Sequence, residues 1–421
     1  MTLPSQELRR SLGLVDAVAV GVGAIVGAGI FVVLGVAAGI AGPALLVGLL
    51  LAGVGATANA LSSAQLAATY PVAGGTYEYG YRVLHPWAGY AAGWMFLASK
   101  IAGAGVVALG LAGYLAPVLP GMPPRAVAAA MVVVFTALNY TGVRRSSTVN
   151  LAIVTVSVGA LLFFVAGSVG SVRLENFMPF APTGWEGTLR GAALLFFAYT
   201  GYARIATLGE EVREPRRTIP RAIVITIAST LVLYAAVAVV AVGVIGADGL
   251  AATSAPLEVA AHAARGNAFA AVVAIGGTAA MAGVLLSQLL GLSRMVFALA
   301  RRRDLPAAID RVHSRFGVPH RGVLVVGAAA FLVTITGTLG GVAAAAAFTI
   351  LVYYGIANAA AIRMPADSKI FPDLVPWVGV VVCGLLAVSL PWKTIATGLS
   401  ILAAGVVLRL VLRPRVQPSS A

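Results

Sequence analysis

Charge is what this 421-residue sequence has least of: Asp, Glu, Lys and Arg make up 10% of it, while 60% is hydrophobic. An ordinary soluble domain carries about 25% charged residues, so too little polar surface is present to clothe an independent aqueous core. Acid is scarcer than base, with 14 Asp and Glu against 28 Lys and Arg. A net charge of +14 would suggest nucleic acid in a soluble chain. In a membrane chain it records which loops stay in the cytoplasm, and no nucleic-acid partner is expected. Cysteine is nearly absent. Cys383 alone permits no internal disulfide, and its apolar surroundings favour a buried thiol. The four histidines, His85, His262, His313 and His320, fall in expected loops or at a span edge without metal-site spacing, so neither metal nor cofactor is expected. No phosphate-binding loop, catalytic triad or paired carboxylates accompany the apolar runs, which leaves enzymatic and ATP-driven chemistry without support.

Long apolar runs fill the chain instead. A helix needs about 20 mainly apolar residues to cross a bilayer, and dividing the sequence at charge, Pro and Gly clusters gives twelve spans. Their extents are 14–41, 43–70, 86–116, 125–141, 148–171, 187–209, 219–246, 268–298, 321–339, 341–362, 374–391 and 393–412. The expected fold is therefore all-α and integral to the membrane, one polytopic domain over 1–421 with short tails at 1–13 and 413–421. Residues 1–13 lack a cleavage pattern and read as a cytoplasmic tail. Arg125, Arg173, Arg190, Arg265 and Lys393 fall on the side opposite the N-terminus, Lys100 and Arg204 fall inside spans, and the other 21 cations share the side of the N-terminus. The positive-inside rule makes that side cytoplasmic, with both termini on it. The chain is expected in the cytoplasmic membrane with lipid as its surroundings; nothing in it fixes an oligomeric state.

The first span holds glycines at 21, 23, 27 and 29 in the run GVGAIVGAGIF. Glycine at this density weakens a helix, so the run marks either an unwound segment or a close helix-packing face. Five spans later Phe196–Arg204 places a glycine, a hydroxyl and an arginine at similar depth. Because five is odd, spans 1–5 (14–171) and 6–10 (187–362) would have opposite topologies. Paired interruptions in such halves point to an inverted-repeat secondary transporter, its discontinuous helices 1 and 6 meeting at the midplane, with two further helices over 374–412.

The same residues resemble a known family. GVGAIVGAGIF is similar to the first-helix signature of the amino acid–polyamine–organocation transporters, and YPVAGGTY at 70–77 resembles their second-to-third loop. FFAYTGY at 196–202, followed by EEVREP from Glu210, resembles the sixth helix and its loop, while Ser293-Arg294 and Asp304-Leu305-Pro306 look like the end of the eighth. The resemblance implies a LeuT-type bundle in which both helix breaks hold an amino acid. Carried over by position, N–H groups at Val26, Gly27, Ala28 and Gly29 would take the carboxylate. The carbonyls of Ala24, Ile25, Phe197 and Thr200 would take the ammonium, with Gly201 at the second break. Helix ends supply those roles on physical grounds too, through orphan N–H and C=O groups and the dipole. Phe197 or Tyr199 would gate the substrate or only pack in the bundle.

Lys100 lies about 14 residues into its span, roughly 20 Å deep at 1.5 Å per residue. A charge there costs several kcal/mol or more and burial penalises the ammonium form, so Lys100 reads as a proton carrier, a contact to an acidic substrate or a structural cation. The family's fifth-helix lysine corresponds to Ser157 here, so that mechanism does not transfer. The family often has a glutamate where Ala203 stands. Arg204 could pair with Asp16, Glu210 or Glu211 as a gate or as a static ion pair. Ser287 with Gln288 makes a thin sodium site, which favours protons or exchange. Gly103 and Ala203 imply a small to medium pocket, and the lack of an intramembrane carboxylate argues against dibasic substrates. The expectation is a permease for a small neutral amino acid or related amine. A sensor or transport-inactive scaffold of the same fold is the alternative, and a channel would need more polar lining than the spans supply.

Overall fold

A computed structural model describes residues 12–70, 74–142, 147–206 and 211–412. Arg9, Arg10, Arg144, Arg145, Arg413 and Arg415 of the charge count, residues 71–73 of the second motif, and Glu210 lie outside these segments. The regular elements of the described residues are all helical, with one isolated bridge between Leu12 and Val212.

Helix α1 (Leu14–Ile25) stops inside the glycine run. The backbone turns extended at Val26 (φ −70°, ψ 105°), returns to helical angles at Ala28, and passes through a π-turn over Gly29–Val33 into α2 (Leu34–Ala41). Gly42, at φ 61°, turns the chain into α3 (Leu45–Thr69), because only glycine adopts that angle without strain. A short α4 (Thr76–Tyr79) precedes α5 (Pro86–Leu115), α6 (Pro124–Tyr140) and α7 (Ser147–Ser168). The second interruption follows α8 (Gly184–Tyr199): a 3₁₀ turn over Thr200–Tyr202 leads to α9 (Ala203–Ala206). Then come α10 (Pro215–Ala251), α11 (Pro256–Arg265), α12 (Asn267–Arg301), α13 (His320–Thr336), α14 (Leu339–Ile362), α15 (Leu374–Ser389) and α16 (Trp392–Leu412).

Seven of the described stretches are long and apolar enough to cross a membrane, and α6, α13 and α15 are shorter apolar helices. The outward faces agree with lipid surroundings. Leu162, Val232, Ile275, Leu332, Val388 and Val407 are each more than half exposed, an apolar belt that water would not tolerate at this extent. Inside, small residues let backbones approach, as membrane helices without a hydrophobic driving force require. On α3 alone, Gly48 lies against the Ala192 backbone of α8, Gly53 against Leu231 of α10 and Gly55 against Val382 of α15.

Buried polar groups tie the periphery to this centre. Asn358 of α14 donates to Asn59 of α3 at 2.6 Å, and Asn59 donates to Cys383 of α15 at 3.3 Å, so the thiol is buried as its surroundings suggested. Arg409, counted from sequence among the loop-side cations, is buried at 2% exposure. It donates to the Pro86 carbonyl and stacks over Trp87 and Tyr90. Residues 256–265, read as loop, form α11 with Leu257, Ala260 and Ala261 buried; His262 lies within it.

Two of the sequence motifs meet in space. Tyr77 and Tyr81 both donate to the Asp304 carboxylate at 2.6 Å, and Glu78 holds Arg82 at 2.7 Å and Arg302 at 2.6 Å. Burial, and then the bond to Asp304, hold the Tyr77 phenol well above its ordinary pKa. The neutral phenol is thus kept as a donor that fastens the α3–α5 connection to the end of α12.

Candidate functional site

The two helix breaks touch each other backbone to backbone. A Cβ built on Gly201 would stand 2.3 Å from the carbonyl carbon and oxygen of Ala24 and 2.4 Å from the Ile25 nitrogen. One built on Gly29 would stand 2.4 Å from the Cα of Ala198. Each break therefore seats a glycine on the backbone of the other helix, and the approach is possible only without side chains. The halves on one side of the breaks are also joined. Leu12 donates to Glu211 at 3.1 Å and accepts from Arg213 at 2.9 Å, and Gly21 of α1 sits against Ile205 of α9 and Thr226 of α10.

A cavity of about 30 Å³ lies at the crossing, with room for one or two waters. An amino acid enters it only if a wall moves. Ala24, Ile25, Gly27, Ala28 and Gly29 line it from the first break, and Phe197, Ala198, Thr200 and Gly201 from the second. Lys100 and Val107 of α5 and Val284 and Gln288 of α12 close it. Of these, Ala198, Val107 and Val284 carry no signal in the sequence, where Gln288 stands out as a sodium ligand beside Ser287. Lys100 and Val107 lie seven residues apart, and Val284 and Gln288 four, so each pair shares a helix face.

Most carbonyls expected to meet an ammonium already carry one hydrogen bond. Ile25 accepts from Tyr234 at 2.9 Å, Thr200 from Tyr354 at 3.2 Å, and Phe197 from the Thr200 hydroxyl at 3.0 Å. The Phe197 carbonyl also accepts from the Thr200 N–H, so with two lone pairs per carbonyl it is already filled. Gly27, Ala28 and Gly29 begin the second half-helix, where the first N–H groups have no partner four residues back. Val26 N–H instead donates to Val22 at 2.8 Å, ending the first half, and Val26 is not among the lining residues.

Lys100 reaches the second break from α5. Its ammonium donates to Thr200 Oγ1 at 3.4 Å and stands 5.5 Å from the centre of the Phe96 ring, while the Gln288 amide donates to the Lys100 carbonyl. Gly103, one turn on, fits against Gln288 and the Phe197 ring: a Cβ there would be 2.9 Å and 3.1 Å away.

The remaining expected residues lie elsewhere. Tyr199 is wholly buried, its ring 5.4 Å from that of Tyr234, in the bundle rather than at the cavity. Ser157 of α7 is buried and donates to Ile153 of its own helix at 2.6 Å. Ser287 likewise donates to Val284 at 3.1 Å. Ala203 and Arg204 open α9 beyond the break, and the exposed Arg204 has its guanidinium beside Gly291 of α12. Asp16 accepts from the Gly13 N–H at 2.9 Å.

Known proteins place this sequence. The amino acid permease family model matches residues 16–412. An uncharacterized transporter of Mycobacterium tuberculosis is 45% identical over 405 residues, covering 95% of this chain and 90% of the relative. The branched-chain amino acid permease of Bacillus subtilis is 29% identical, covering 97% of this chain and 94% of its own. A vacuolar cationic amino acid transporter of Arabidopsis thaliana is 31% identical, covering 76% of this chain and 57% of its own. Family and relatives are transporters of small molecules, not enzymes, and the chain is a multi-pass membrane protein. With the family signature running from α1 to α16, the chain belongs to the amino acid permease family.

Proposed function

We propose that the chain is a secondary transporter carrying a small neutral amino acid or related amine across the cytoplasmic membrane by alternating access. The crossing of the two glycine-seated breaks around one cavity carries the reading. It gathers half-helix ends of both polarities at one point, the chemistry a zwitterion requires: N–H groups for its carboxylate and carbonyls for its ammonium. Twelve spans serve this site as a 5+5 inverted repeat, residues 14–171 and 187–362, with α15 and α16 added and both termini cytoplasmic. The joined α1 and α9 halves move as one body when the inner path opens, with Arg204 on its edge.

Lys100 carries the coupling proton. Among the described lining residues it is the ionisable side chain, and its contact to the Thr200 hydroxyl lets its charge state be felt at the break. Sodium fits less well, since the Ser287 hydroxyl is bound within its own helix. Phe197, on the wall, is the side chain that moves to admit substrate.

A thermal-unfolding screen of the purified protein against amino acids and amines tests the binding step. A ligand at 100 times its Kd adds about 2.7 kcal/mol to stability, so small neutral amino acids are expected to raise the unfolding temperature. Absence of any shift across the set would contradict the reading.

A further inference from the structure

We infer that Lys100 sets the charge of the substrate by rejecting amino acids whose side chain is cationic. The inference rests on the proposed amino acid site and adds a selection rule to it.

Among the described lining residues Lys100 is the ionisable side chain and no carboxylate is present. Its ammonium lies 3.4 Å from Thr200 Oγ1, and that hydroxyl donates to the Phe197 carbonyl at 3.0 Å, so the cation meets the second break at the Thr200 side chain and not at its backbone carbonyls. Phe96 faces it on one side. Gln288 is held in place by the bond its amide N–H donates to the Lys100 carbonyl, and it brings no negative charge to that side. The backbone ends of the two breaks account for the α-carboxylate and α-ammonium of a zwitterion. A further positive charge on the substrate would find no acidic partner and would meet Lys100 within a narrow space of low dielectric, where like charges repel strongly. Discrimination of this kind works by penalising the wrong ligand. A relative 31% identical to this chain is named a cationic amino acid transporter, so membership of the family does not by itself set substrate charge.

The test is the ratio of arginine to neutral amino acid affinity, read by thermal unfolding of the full-length protein against alanine, serine, leucine, arginine, lysine and ornithine. The wild type is expected to bind at least one neutral member more tightly than any cationic one, by roughly tenfold or more. In Lys100→Gln that ratio shifts toward arginine by about tenfold, whatever the absolute affinities become. Lys100→Met gives the same reading should the glutamine variant not fold, and the wild-type ratio needs no variant. An unchanged ratio in a folded variant, or wild-type binding of arginine equal to that of the neutral set, would overturn the inference and leave the transport reading standing. Binding of none of the six by the wild type would overturn both.

Discussion

Gly201→Ala is expected to abolish uptake, with the initial rate falling roughly 100-fold, the scale on which an ångström of misplacement disables a site. The added methyl would occupy a point 2.3 Å from the Ala24 carbonyl. Because the obstacle is backbone, it cannot rotate aside as the end of a flexible side chain would. The two breaks must separate, and the carbonyl and N–H groups that frame the cavity move apart together. Overpacking of this kind costs about 1–3 kcal/mol, so the protein should remain folded with a lowered unfolding temperature while transport is lost. Gly159→Ala is the control, since a Cβ there meets nothing within 4 Å. Wild-type uptake by Gly201→Ala would show that the crossing does not form the transport site.

Lys100→Ala is expected to remove accumulation driven by a pH gradient. If one proton accompanies each substrate, a one-unit gradient, alkaline inside, supports about tenfold accumulation, since one pH unit is worth about 1.4 kcal/mol. Without the amine no proton is loaded beside Thr200, and the ratio of inside to outside substrate falls to about one. Exchange at equal pH persists at a reduced rate, because the backbone groups of the breaks remain. The measurement is steady-state substrate ratio in proteoliposomes with an imposed gradient. Full pH-driven accumulation by Lys100→Ala would remove the coupling role.

Both interruptions are legible in the sequence because unwinding leaves a compositional mark: GVGAIVGAGIF and FFAYTGY lack what a continuous helix would have. Which residues beside them face the cavity is partly legible. Phe197 and Tyr199 are two apart, so at 100° per residue they cannot share a face, and the structure turns Phe197 inward and Tyr199 toward Tyr234. Val107, Val284 and Ala198 are invisible in advance, since apolar residues in apolar helices carry no chemical signal. Gln288 does carry one, and its partner, a helix carbonyl on α5, is set by tertiary packing. Arg409 reads as one more loop-side cation until α16 packs on α5, where Trp87 and Tyr90 receive it. The α11 segment PLEVAAHAAR is short and polar beside the spans, which hides a helix whose start signal is Pro256. The motifs around Tyr77 and Asp304 show the opposite case: each is recognisable alone, and only the fold explains both, as two ends of one hydrogen bond.

The central claim, that the paired breaks form a pathway rather than a binding pocket alone, is tested most directly by uptake into proteoliposomes containing the purified protein. Saturable entry of a small neutral amino acid is expected, enhanced by an inside-alkaline gradient and lost in Gly201→Ala. Binding of the same amino acid with no flux under any gradient would contradict it and mark the molecule as a sensor.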